Sequence, residues 1–140
     1  MKNLFYSIFT FFVIVLFCSC DKKDSNPIDE NATIIGTWKL ISVITPNGTE
    51  TGDEGVDEIF YFGEDGSGYY QVIDGYDSKD NFRYERVENT LTMTYSSHKK
   101  QFNITKLNES ELNLYYIGKN IDWNTGEEED WNETWILKRE

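Results

Sequence analysis

Cysteine, proline, histidine and positive charge are all scarce in this sequence, and each shortage excludes something. Its 140 residues hold two cysteines, two prolines and one histidine. Cys18 and Cys20 have a single residue between them, a spacing at which a disulfide is strained. Beyond Cys20 there is no thiol, so neither a disulfide framework nor a Cys-His pair can form in the remainder. The lone His98, beside Lys99 and Lys100, leaves no His/Cys metal pattern and no convincing Ser-His-Asp set, and reads as a solvated turn residue. Lys and Arg number 13 against 25 Asp and Glu, a formal charge of −12. A field of that sign repels phosphate backbones, which removes nucleic acid from the partners. Acidity of this kind keeps an exposed protein soluble, or else binds cations or basic partners.

Long apolar runs are missing too. The longest, Leu4 to Phe17, has 14 residues and as a helix would cover about 21 Å, short of the ~30 Å hydrocarbon core of a bilayer. Placed after Lys2 and before Cys18-Ser19-Cys20, the run reads as an export signal over residues 1–19. Leu16-Phe17-Cys18-Ser19-Cys20 resembles the lipobox of bacterial lipoproteins, which implies cleavage before Cys20, lipidation of that residue and attachment to a membrane through the lipid. Residues 20–33 carry no apolar periodicity and are rich in Asp, Lys, Asn and Ser, the composition of a disordered tether. Within it, Lys22-Lys23-Asp24 resembles the lysine-plus-acid tracts of surface lipoproteins in Bacteroidetes-type cells. The expected location is therefore the cell envelope, at the outer membrane and leaning towards the surface.

What is present from Ile34 onward has a period of two. Leu91, Met93 and Tyr95 alternate with Thr90, Thr92 and Thr94, and Phe102 and Ile104 with Gln101, Asn103 and Thr105. Leu112, Leu114 and Tyr116 oppose Glu111, Asn113 and Tyr115; Trp131, Trp135 and Leu137 oppose Asn132, Thr134 and Lys138. One wet and one dry face per strand is the mark of an antiparallel sheet. The pattern predicts eight strands, over 34–44, 57–63, 68–74, 80–87, 90–96, 99–106, 111–121 and 129–138. Glu64-Asp65-Gly66, Glu88-Asn89, Asn108-Glu109-Ser110 and Asn124-Thr125-Gly126 supply hairpin turns between them. One connection is long, the Gly- and acid-rich loop 45–56. Short links favour closure into an eight-stranded antiparallel up-and-down β-barrel, all-β, in a single domain over 34–140.

Ile35-Gly36-Thr37-Trp38 opens the first strand with Gly-x-Trp, which resembles the start of lipocalin barrels and of the lipocalin-like domains of Bacteroidetes-type lipoproteins. Ile59-Phe60-Tyr61-Phe62, Asn89-Thr90-Leu91-Thr92-Met93, Phe102 to Leu107 and Glu111-Leu112-Asn113-Leu114 are similar to the latter family. The resemblance implies a cup for a small hydrophobic or amphipathic molecule. It also implies a fold signature in which Trp38, two residues after Gly36, packs across the closed end of the barrel against a basic residue near the last strand, Arg139 or Lys138.

An eight-stranded barrel is wide enough to be filled by its own side chains or to hold one small ligand. Among the large rings on the inward parity, Phe60, Phe62, Tyr70, Tyr84, Tyr95, Tyr116 and Trp135 are either core or pocket wall. Trp123 and Trp131, beside Glu127-Glu128-Glu129-Asp130, are candidates for surface contact with a protein or glycan. Asp74, Asp77 and Asp80 offer oxygen ligands without the spacing of a calcium loop. Acids are so numerous that a carboxylate pair at glycosidase separation could arise by chance. No catalytic constellation, metal site or cofactor signature stands out, and the sequence reads as a non-catalytic, monomeric binding module. An envelope interaction protein presenting loops from a filled barrel is the reading beside it, and a carboxylate hydrolase the third.

Overall fold

The computed structural model describes residues 27–52, 55–74, 76, 78–121 and 125–140. Export signal, Cys20, Asp77 and Trp123 lie outside that range. Among the described residues nine antiparallel strands form one sheet: β1 (Gly36–Thr45), β2 (Gly48–Thr51), β3 (Asp57–Phe62), β4 (Ser67–Ile73), β5 (Ser78–Val87), β6 (Thr90–Thr94), β7 (Lys99–Leu107), β8 (Glu111–Ile121) and β9 (Glu128–Arg139). From β3 to β9 each strand pairs with its successor, β3 pairs with β1, and β9 returns to β1 with Trp38 opposite Arg139 and Ile44 opposite Thr134. Eight strands thus close a barrel, β1 and β3–β9, in which each strand pairs on both sides, while β2 pairs with β1 alone.

The ninth strand was not expected. β2 lies inside the loop 45–56, folded back on β1 by the two-residue turn Pro46-Asn47, with Ser42 opposite Thr51 and Thr45 opposite Gly48. All four of its residues are exposed, so no apolar alternation announces it; cross-strand hydrogen bonding alone holds it.

Alternation inside the barrel follows from sequence parity, adjusted by two bulges. One, between Leu40 and Ser42, lets Leu40 and then Val43 both face inward across one extra residue; the other, between Ile104 and Lys106, does the same for Ile104 and Leu107. Starts of β1, ends of β9 and the turns at 63–66, 88–89 and 108–110 gather at one end. The β1–β2, β4–β5, β6–β7 and β8–β9 connections gather at the other.

The first end is closed and packed. Trp38, Phe62, Leu91, Met93, Leu107, Leu112, Leu114 and Leu137 are fully buried there or just above it. Trp38 Nε1 donates to the Ile34 carbonyl at 2.7 Å, and the Arg139 guanidinium lies over the indole, 4.2 Å from its centroid. Gly36 has φ +126°, a conformation that requires glycine, and a Cβ there would stand 2.7 Å from Arg139 Nη1, so the guanidinium would also have to shift.

Residues 27–33, expected as part of the tether, are instead strapped across this end. Ile28 bridges Leu107 in parallel, through Asp29 N to Leu107 O at 2.8 Å and Leu107 N to Pro27 O at 2.9 Å. Ile28 and Ala32 pack on the core. The physical reason is tertiary: two apolar side chains four residues apart, in an otherwise polar segment, find the apolar end of the barrel.

Candidate functional site

Above the packed half the barrel opens into a cup of about 450 Å³. Phe60, 1% exposed, forms its floor, with the Tyr70 ring 4.8 Å away and the Trp135 ring 5.4 Å away on opposite sides. Leu40 and Val43 extend the apolar wall, and Tyr95, His98 and Trp131 stand towards the rim. The interior is therefore neither solid nor empty: the closed half is core, and the open half is a cavity lined by rings.

Charge enters the cup at regular positions. Glu58, Asp80, Lys100 and Glu133 each take the inward parity of their strand, two residues from Phe60, Phe82, Phe102 and Trp131 or Trp135. The Tyr70 hydroxyl donates to Glu58 Oε2 at 2.6 Å. Burial and that hydrogen bond together push the Tyr70 phenol well above the usual tyrosine range. Burial, with the nearby Asp80 charge, pushes Tyr95 up to about 12. Glu133 accepts Trp131 Nε1 at 3.3 Å and stands 4.0 Å from Lys100 Nζ. The same ammonium lies 4.9 Å from the Trp135 ring centre and 5.3 Å from that of Tyr116.

A larger hollow, about 560 Å³, lies outside the barrel along Tyr61, Tyr69 and Arg83, where β5 runs on past the last pair it makes with β6, Arg83 opposite Thr94. It is a shallow surface groove, and the inward-facing Gly68, Phe82 and Tyr95 border it from the barrel side. Enclosure and converging polar groups, which mark a ligand site better than volume does, favour the cup.

The sequence model of the lipocalin-like domain family matches residues 34–114. This chain belongs to the lipocalin-like domain family. Among solved structures, a lipocalin-like protein from Bacteroides uniformis is 18% identical, with a TM-score of 0.57 over 76% of this chain and 97% of its own. An uncharacterised protein from Bacteroides eggerthii is 12% identical, with a TM-score of 0.56 over 76% and 98%. No curated protein is detectably similar in sequence.

In this lipocalin-like domain the expected pocket residues divide. Phe60, Tyr70, Tyr95 and Trp135 line the cup. Phe62 does not: it is fully buried in the core. Tyr84 belongs to the closed end, its hydroxyl donating to the Gly63 carbonyl at 2.6 Å and its ring edge-on to Phe62. Tyr116 stands beside the cup, against Phe102 and under Lys100, without lining it. Trp131, expected as a surface contact, is half-buried and faces the cup, because it shares the inward parity of Trp135.

His98 is exposed at the rim, stacked on Tyr95 with centroids 4.6 Å apart, and so borders the cavity as well as its turn. Asp74 accepts the Tyr76 amide within its own turn while Asp80 faces the cup, and among the described residues no group of three acids or histidines could hold a metal. Asp130 pairs with Lys119 at 2.7 Å on the surface. Missed as cup residues were Glu58, Lys100, Glu133, Leu40, Val43, Thr45 and Glu50, and Asp80 was expected only as an oxygen ligand. For Glu58, Asp80, Lys100 and Glu133 the signal was available: a charge at an inward position with a large ring two residues away.

Proposed function

We propose that this lipocalin-like domain is a non-catalytic binding module, held in the cell envelope by a lipid on Cys20, that carries one small amphipathic molecule as a monomer. The ring-floored cup in the open half of the barrel carries this reading. Its 450 Å³ falls within the ~300–1,000 Å³ of small-molecule sites, and Glu58, Glu133 and Lys100 give it a few oriented polar groups among apolar walls. The outer groove along Tyr61 and Tyr69 favours the alternative, an envelope protein that meets a protein or glycan partner.

Native mass spectrometry of the chain from residue 21, purified gently from a source of natural lipids and metabolites, separates the two. A co-purifying small mass released by denaturation is expected, and a bare chain at its calculated mass would turn the reading towards the outer groove. For the anchor, Cys20→Ala should move the protein from the membrane fraction to the soluble one. Retention of the variant in the membrane would remove the lipid from the account.

A further inference from the structure

We propose that the cup selects organic cations, amphiphiles with an ammonium head and an apolar tail, over neutral and anionic molecules of the same length. This rests on the binding reading above and names its ligand class. The acids do not by themselves make the site; the cavity floored by Phe60, Tyr70 and Trp135 does, and the charges lining it decide what enters.

Four carboxylates, Glu50, Glu58, Asp80 and Glu133, border the cup against one ammonium, Lys100. That ammonium is already engaged, held between Glu133 and the Trp135 and Tyr116 rings. It shows within the chain how this wall receives a cation: ring faces on one side, a carboxylate on the other. Glu58, across the cup, has the Tyr70 hydroxyl as a hydrogen-bond donor, and among the described residues no basic side chain pairs with it, with Asp80 or with Glu50.

An incoming ammonium finds the Tyr70 and Trp135 rings and these carboxylates within one hollow. An anionic head would meet three carboxylates that have no basic partner among the described residues and a lysine that is already paired. A neutral molecule would strip water from Glu58 while leaving its charge, which has only the Tyr70 hydroxyl beside it, without an opposite charge, which costs free energy. Cation selection is thus what the cup's charge and its rings jointly require.

The test titrates the chain from residue 21, which contains the whole barrel and its strap, with decyltrimethylammonium, decyl sulfate and 1-decanol below their aggregation limits, read by fluorescence of Trp131 and Trp135. The cation should bind at least about tenfold more tightly than either, and Glu58→Gln should lower the ratio of cation to decanol affinity about tenfold, the loss of one ionic attraction to a head that carries no N–H. Asp80→Asn, at the exposed rim, should lower the same ratio in a position where folding is not at stake. Equal affinities for the three tails, or a ratio unmoved by both variants, would overturn the selection and leave the cup as a binding site. No binding by any tail would remove the cup reading itself.

Discussion

Trp38 joins more of the closed end than its size alone accounts for. Its indole is fully buried, its N–H is spent on the Ile34 carbonyl, and its outer face is covered by Arg139. Arg139 in turn donates to the carbonyls of Thr33, Ile35 and Glu109, at 2.7 to 2.8 Å, and so joins the N-terminal segment, β9 and the β7–β8 turn over one ring. Removing the ring leaves a cavity under three elements that cannot collapse together. Trp38→Ala should therefore cost about 3 to 5 kcal/mol, measured by urea unfolding. A loss below about 1 kcal/mol would mean that the indole is not the keystone of the closed end. Arg139→Met should cost less alone and add little in the double variant, because its contacts are organised around the missing ring.

At the scale of elements, the strap over residues 27–33 makes the sharpest prediction. It contributes the part-buried Ile28 and Ala32 and two backbone hydrogen bonds to Leu107. A chain beginning at residue 34 should be less stable than one beginning at residue 27 by roughly 2 kcal/mol, about one buried aliphatic side chain plus a hydrogen bond. Amide exchange reads the same event locally: the Leu107 amide, bonded to Pro27, should lose protection while the β8 amides keep theirs. Unchanged stability and exchange would return the segment to a plain tether.

Eight of the nine strands were legible because each buries one face, as in Leu91 and Met93 against Thr92, and the period of two then marks strand and face together. β2 and the strap were not, since the first buries nothing and the second is fixed only by where the rest of the barrel places an apolar end. The site was half legible. Inward parity identified Phe60, Tyr70, Tyr95 and Trp135, yet the two halves of a barrel look alike along a strand, so Phe62 and Tyr84 were indistinguishable from them until depth was known. Reading parity for rings alone also passed over Glu58 and Glu133, which are the more informative residues because a half-buried charge on the inward face of a strand needs a reason.

For the whole molecule, the same excess of negative charge acts with opposite sign on folding and on binding, and salt separates the two. With 25 acids to 13 bases, closing the barrel brings like charges together. The opposing ion pairs, Lys39 with Asp57, Lys106 with Glu111 and Lys119 with Asp130, are at least partly exposed and individually weak. Repulsion therefore wins at low salt. Screening, which shortens from about 30 Å at 0.01 M to about 10 Å at 0.1 M, relieves it. Raising salt from about 0.01 M to about 0.5 M at neutral pH should lift the melting temperature by about 3 to 6 °C, as expected for roughly 1 kcal/mol in a domain of this size. Over the same range the affinity of decyltrimethylammonium for the cup should fall, because the carboxylates that attract it are screened, while that of 1-decanol should hold or rise. A fall in both affinities alongside a higher melting point would mean that salt tightens the barrel against every ligand, and the charge of the cup would then have no part in choosing its occupant.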